Sequence, residues 1–274
     1  EDVSQDGHLV IEAMPHATGA VWRQLSQQRP VTFGPGVVPI LSRIVVEGGE
    51  GPISVGATAE GEGFYHLAHT VHDGAPDRLI LAMWAQVLAP IGRTHPPQPP
   101  DAGRSVVAGR VFAEHVFTRP FAPQAERRVR SLDLGDGQPF VPEARYTFRE
   151  PEASQALPDG ATALDEAPVP DEAPTVFGAD HTDSNQHVNS LVYPRLFIEA
   201  ALRRFHALGL PGPPPLARAM ELAFRKPCFA GERARVTARA FQWGDRRGIT
   251  AGISVDGDPP GARPRCAARI LFDR

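Results

Sequence analysis

Several things are scarce in this chain. Its 274 residues include two cysteines, Cys228 and Cys266. Two cysteines make no disulfide framework, and both read as free thiols in a reducing cytosol. No apolar run approaches the roughly 18 residues of a membrane span. The opening residues show no signal-peptide pattern, so a cytoplasmic protein is expected. The formal net charge is −4, which offers nucleic acid no global attractive field. Lysine is almost missing: Lys226 is the only one, and arginine carries the rest of the positive charge. What remains is an ordinary globular composition, 42% hydrophobic and 22% charged.

Proline is abundant, with 29 residues, and it clusters. His95 to Pro100 reads as a loop. Residues 151–174 are proline-rich, alanine-rich and acidic, with no apolar period, and are expected to form an irregular linker on the surface. That divides the chain into 1–150, the linker 151–174, and 175–274. The halves show a weak repeat. Glu114, Phe117 and Pro120 recur 107 residues later as Glu221, Phe224 and Pro227, and Arg128-Val129 recurs as Arg235-Val236. Apolar periodicity predicts helices near 77–92 and 189–208, each followed by strands. An additional helix over Ala17 to Gln28 and added strands over Ile40 to Val55 have no counterpart in the second half. The pattern gives an α+β class.

The densest chemistry lies just before the second predicted helix. His181-Thr182-Asp183-Ser184-Asn185-Gln186-His187-Val188-Asn189 gathers an acid, three amides and two imidazoles, with Tyr193 and Glu199 following. A carboxylate here can hold a water. The unpaired N–H groups of a first helical turn can receive charge building on a carbonyl oxygen. Asp183 is the candidate general base or nucleophile, and its plain alternative is a turn or cap residue. Asn185 can position water or carbonyl, and His187 can share the proton work. Each also serves readily as a turn or packing residue. Asn189 reads as the cap of the turn. Glu199 stands four residues from Arg203, so a helix ion pair competes with a catalytic role. Cys228 has no neighbour that lowers its pKa and reads as a small buried hydrophobe.

This stretch resembles the D-x-N-x-H-V-N-x-x-x-Y motif of hotdog-fold acyl thioesterases, most closely the acyl-ACP type. The likeness covers about 182–199, and more loosely residues to about 236. It implies a tandem double hotdog: each half a long helix wrapped by an antiparallel sheet, paired side by side with the site at their interface. It implies a thioesterase that hydrolyses an acyl-CoA or acyl-carrier-protein thioester in fatty acid or polyketide metabolism, with no cofactor or metal. The catalytic set carried over is Asp183, Asn185, His187 and Glu199. Asn189, Tyr193, Trp84 and Arg225 are the substrate-binding candidates, although Tyr193 and Trp84 also suit core packing. No nucleic-acid or membrane partner is expected, and a homodimer of double hotdogs fits the class. Two departures stand out. Pro227 replaces the glutamate that precedes the family's cysteine, and Pro194 falls within the predicted helix. The first half lacks the motif, offering only His72-Asp73-Gly74-Ala75-Pro76-Asp77 at the matching place.

Other readings compete. Hotdog hydratases and dehydratases use D-x-N-P-x-H, whose histidine lies five residues after the aspartate; His187 is four after Asp183. A non-hydrolytic acyl-binding protein with a degenerate site is the third. His66, His69, His72 and Asp73 suggest a zinc site, but on a strand residue 69 faces away from 66 and 72, so no metal is expected.

Overall fold

The computed structural model describes residues 2–28, 33–133, 137–210 and 215–273. Eight long strands and two α-helices carry the fold: α1 (Thr18–Gln28), β1 (Val38–Gly48), β2 (Glu60–His72), β3 (Ala75–Pro90), β4 (Ser105–Thr118), α2 (Val192–Ala207), β5 (Ala217–Phe224), β6 (Arg233–Trp243), β7 (Arg246–Val255) and β8 (Cys266–Phe272). All join one antiparallel sheet in the order β2-β3-β4-β1-β5-β8-β7-β6. The order reads the same from either end once β1 is equated with β5, β2 with β6, β3 with β7 and β4 with β8. A pseudo-twofold axis therefore passes between β1 and β5, which pair from Arg43 opposite Ala223 to Glu47 opposite Ala219. The class is α+β, two helix-on-sheet halves in one chain, as expected.

The helix predicted near 77–92 is instead strand β3. Leu79, Leu81, Met83, Ala85, Val87 and Ala89 alternate inward to the core, a period of two. Ile80 and Ala82, on the opposite face, are buried as well. A strand covered on both faces reads as a continuous apolar run, which periodicity cannot tell from a buried helix. The helix of the first half is α1, the segment that had looked like an addition. It packs on β2 and β3, while α2 packs on β5 to β8. In α2, Tyr193, Phe197, Ala200, Ala201 and Phe205 form the buried stripe, at the three- and four-residue spacing of one helix face.

The 107-residue repeat does not mark equivalent elements, because it aligns β4 with β5. Both strands flank β1, and both send a glutamate to the same arginine. Arg43 lies 3.8 Å from Glu114 and 3.4 Å from Glu221. Ser42 O–H donates to Glu114 at 2.7 Å, Tyr146 O–H donates to Glu114 at 2.5 Å, and Arg269 and Arg149 reach Glu221 at 2.6 and 3.1 Å. Glu114 and Glu221 are buried. Both carboxylates are paired, although Arg43 Nε is buried without an acceptor, and the cluster joins the halves where an unpaired charge would be costly. Burial, then the Glu114 carboxylate, pushes the Tyr146 phenol up to about 12.

Residues 151–174 are not irregular throughout. Pro151–Gln155 form a 3₁₀ turn with Ser154 buried. Thr162–Ala163, Val169–Pro170 and Thr175–Val176 pair in turn with β6. Asp165 is buried, accepts the Ala240 N–H at 2.8 Å and binds Arg204. Short, proline-bearing pieces suit an outermost strand, where one row of N–H groups needs no partner. At the other end of the sheet, the Tyr146 N–H donates to His69 on β2 at 2.8 Å, and the His69 N–H donates to Ala144 at 2.9 Å.

Candidate active site before the second helix

The motif forms a closed loop. Thr182 and Val188 bridge across it. The Asp183 N–H donates to the His187 carbonyl at 3.1 Å, the Gln186 N–H to Asp183 at 2.9 Å, and the Asn189 N–H to His181 at 2.9 Å. Gln186 turns the loop at φ +65°. The Val188 N–H donates to the Cys228 carbonyl at 2.8 Å, fixing the loop beside the segment that leaves β5. Asn189 Oδ1 accepts the Leu191 N–H at 2.9 Å, and the Asn189 carbonyl accepts the Val192 N–H at 3.0 Å. Asn189 thus ties down the turn into α2. Pro194 falls within the first turn of a helix that begins at Val192, where an N–H would have no intrahelical acceptor, so it breaks nothing.

Asp183 Oδ1 accepts the Asn185 N–H at 2.8 Å and lies 3.9 Å from His187 Nδ1. Oδ2 accepts no hydrogen bond from the described residues. The Asp183 side chain is 25% exposed and that of His187 40%, so the pair is open to solvent but shaped by the loop. Asn185 is exposed beside them. Asp183, Asn185 and His187 thus share one loop at the start of α2. A carboxylate with one oxygen anchored and the other free can orient a water, with an imidazole beside it to pass a proton.

The other predicted residues lie elsewhere. Glu199 is held by Arg195 at 2.9 Å and Arg203 at 3.8 Å on the open side of α2, and no described contact joins it to Asp183. Tyr193 is buried, with its ring edge against Phe224; burial raises its pKa first, and then the nearby Cys228. Cys228 is itself fully buried, and desolvation raises its thiol pKa. It has the environment of a packed hydrophobe. Arg225 donates to the carbonyls of Pro264, at 2.9 Å, and Arg263, bracing the turn before β8. Trp84 lies neither in the core nor between helix and sheet. It stacks on Phe64 at 5.2 Å on the sheet face away from α1, and with Phe64, Phe112 and Arg110 it lines an open hollow of about 600 Å³.

The first half does carry a counterpart of the motif, at its very start. Val3 bridges Leu9; the Ser4 N–H donates to His8 at 2.8 Å, the Gly7 N–H to Ser4 at 2.9 Å, and the Val10 N–H to Asp2 at 2.8 Å. Each bond recurs 179 residues later in the 181–189 loop. Gly7, at φ +86°, takes the place of Gln186. Ser4 stands for Asp183, Asp6 for Asn185, His8 for His187 and Val10 for Asn189. Met14-Pro15 stands for Tyr193-Pro194. Asp6 accepts the Ser4 O–H at 2.5 Å and the His8 N–H at 3.3 Å, and it is paired with Arg218, which also reaches Asp273 at 3.3 Å. The shared signal, a histidine followed six and seven residues later by an apolar residue and proline, is present in the sequence. It precedes α1, far from the apolar strand β3 that imitates a helix.

No protein-family model and no curated protein matches the chain. Solved structures do. An acyl-ACP thioesterase from Bacteroides thetaiotaomicron aligns with TM-score 0.57 at 13% identity, over 99% of this chain and 93% of that one. A Lactobacillus plantarum protein assigned as an oleoyl thioesterase aligns with TM-score 0.56 at 12% identity, over 99% and 91%. With the palindromic strand order, this similarity along nearly the whole chain identifies the fold as a double hotdog.

Proposed function

We propose that the chain hydrolyses an acyl thioester, from acyl-CoA or an acyl carrier protein, at the 181–189 loop. The observation that carries this reading is the Asp183 carboxylate, with Oδ1 anchored by the Asn185 N–H, Oδ2 without a partner among the described residues and His187 at 3.9 Å. Water held at Oδ2 attacks the carbonyl carbon and gives its proton to Asp183. The carbonyl oxygen takes negative charge, which the N-terminal turn of α2 stabilises. The C–S bond then breaks, and His187 protonates the departing thiolate. The Asn185 amide orients the water or the carbonyl. Glu199 enters only as a helper of the helix surface, and Cys228 as packing. The scheme calls for no cofactor. Among the described residues no helix is long and apolar enough to cross a membrane.

The hydratase reading is disfavoured by the loop itself. Gln186, which occupies the place of that motif's proline, sits at φ +65°, whereas a proline ring holds φ near −65°. Incubation with a panel of acyl-CoAs and a thiol-reactive dye tests the proposal. Release of free thiol that disappears in Asp183→Asn supports it. Enoyl absorbance changes without thiol point to a hydratase, and binding without either product to a carrier.

A further inference from the structure

At the end of β4 the chain makes a compact excursion over residues 119–131. Arg128 bridges Thr118, the Arg119 N–H donates to the Arg127 carbonyl at 3.0 Å, and Val129 and Leu132 are buried in the core, so the excursion is fixed to the sheet. It encloses an open cavity of about 540 Å³ lined by Arg119, Gln124, Ala125, Arg128, Arg130 and Ser131. Arg128 is committed to Asp77 at 2.6 Å, and Arg127 turns away to the Ala122 carbonyl at 2.9 Å. The guanidinium groups of Arg119 and Arg130 have no acceptor among the described residues. Two unneutralised forks, a hydroxyl and an amide thus face one hollow in a chain whose net charge is negative. That donor set suits a phosphate, whose oxygens accept paired guanidinium bonds.

The position gives the cavity its meaning. β4 ends beside the start of β1, and β1 lies between β4 and β5. The motif loop is tied to Cys228, just past the end of β5. Cavity and candidate active site therefore lie at the same end of the sheet: β4 ends opposite Val38, β5 ends one residue past the Ala223–Arg43 pair, and the two strands run about 10 Å apart across β1. We infer that this cavity binds the phosphate of the pantetheine arm that carries the acyl thioester, so that Arg119 and Arg130 hold the substrate's carrier end while its thioester reaches Asp183. The inference rests on the thioesterase reading for its purpose, but not for its binding chemistry.

The test measures binding and turnover separately. Titration calorimetry with 4′-phosphopantetheine, with CoA and with 3′,5′-ADP compares the native protein with the Arg119→Gln/Arg130→Gln variant. Phosphopantetheine should bind the native protein and weaken about 10–100-fold in the variant, the scale of lost bonds to a charged group. In turnover, KM for an acyl-CoA should rise by a similar factor with kcat kept, while an acyl-N-acetylcysteamine thioester, which has no phosphate, should be unaffected. An acyl-phosphopantetheinyl carrier peptide assayed beside acyl-CoA separates the two sources of the arm: an effect on either supports the site and names its source. A native protein that does not bind phosphopantetheine overturns the inference even if thioesters are hydrolysed. Equal losses on the phosphate-free ester overturn it too. A protein that hydrolyses nothing but binds phosphopantetheine through these arginines refutes the hydrolase reading alone.

Discussion

The loops at 2–10 and 181–189 share a backbone and differ in what their side chains leave unsatisfied. In the first, Asp6 is saturated by Ser4, the His8 N–H and Arg218, and a Cβ added to Gly51 would lie 2.7 Å from the His8 ring. In the second, one oxygen of Asp183 has no partner among the described residues. The hydrogen-bonded frame is what folding requires of both. The free carboxylate oxygen and the Asn189 cap are found only in the second. Polar groups satisfied from within serve stability, while one held in place yet unsatisfied is available for chemistry.

The largest expected effect breaks this comparison at its centre. Asp183→Asn keeps the turn and removes the base, and should lower hydrolysis by about 10²–10⁴-fold with thermal unfolding nearly unchanged. Ser4→Ala, the matching change in the first loop, should leave the rate alone. Equal rate losses from both would mean that the first loop takes part in catalysis.

A second asymmetry lies beneath the helices. His115 on β4 and Phe272 on β8 occupy equivalent places, one packed edge-on against Trp22 of α1 and the other against Phe205 of α2, each with ring centroids 5.3 Å apart. Burial pulls the His115 pKa from 6.5 down to about 4. Between those values the unfolded chain takes up a proton that the folded chain refuses. Stability is therefore intact above pH 6.5 and should fall by up to about 3 kcal/mol as the pH drops to about 4. His115→Phe, which copies the second half, should remove that component from urea melts taken at pH 7 and pH 4.5. An unchanged slope would clear His115 of the effect.

Smaller still is the clamp on the first loop. Arg218→Met leaves Asp6 without its arginine, while Asp273 keeps Arg246 at 3.1 Å, and should cost about 1–3 kcal/mol of stability with no change in kcat. A fall in kcat with stability kept would reverse the assignment of the two loops. The smallest effect belongs to Cys228→Ala, which should retain most of the activity because a buried thiol of raised pKa is a poor nucleophile. A folded but inactive Cys228→Ala alongside an active Asp183→Asn would restore a cysteine mechanism with His187 as base.

Much of the fold could be read directly. The α+β class, the second helix and the turn-forming role of Asn189 all followed from periodicity and local side-chain chemistry. The errors had physical causes. β3 imitated a helix because both its faces are covered. The 107-residue match links Glu114 and Glu221, which share one arginine, Arg43, but stand on strands that are not duplicates. The true duplicate, 179 residues apart, retains backbone geometry and a histidine but few other identities, and backbone hydrogen bonds are invisible in a sequence. Where the arginines of 119–131 would gather was likewise unreadable, since it depends on how the chain leaves β4.

One stretch of chain has a consequence for how these molecules behave in company. The segment between the halves touches β2 at one margin of the sheet through Ala144 and Tyr146, then travels to the opposite margin and lies along β6 from Thr162 to Val176. A broad antiparallel sheet invites neighbours to add to its rims; here the ribbon covers β6 in three short pieces and pins β2 at His69. Severing it would bare the β6 rim, so the tether that joins the halves also guards that border of the sheet against added strands.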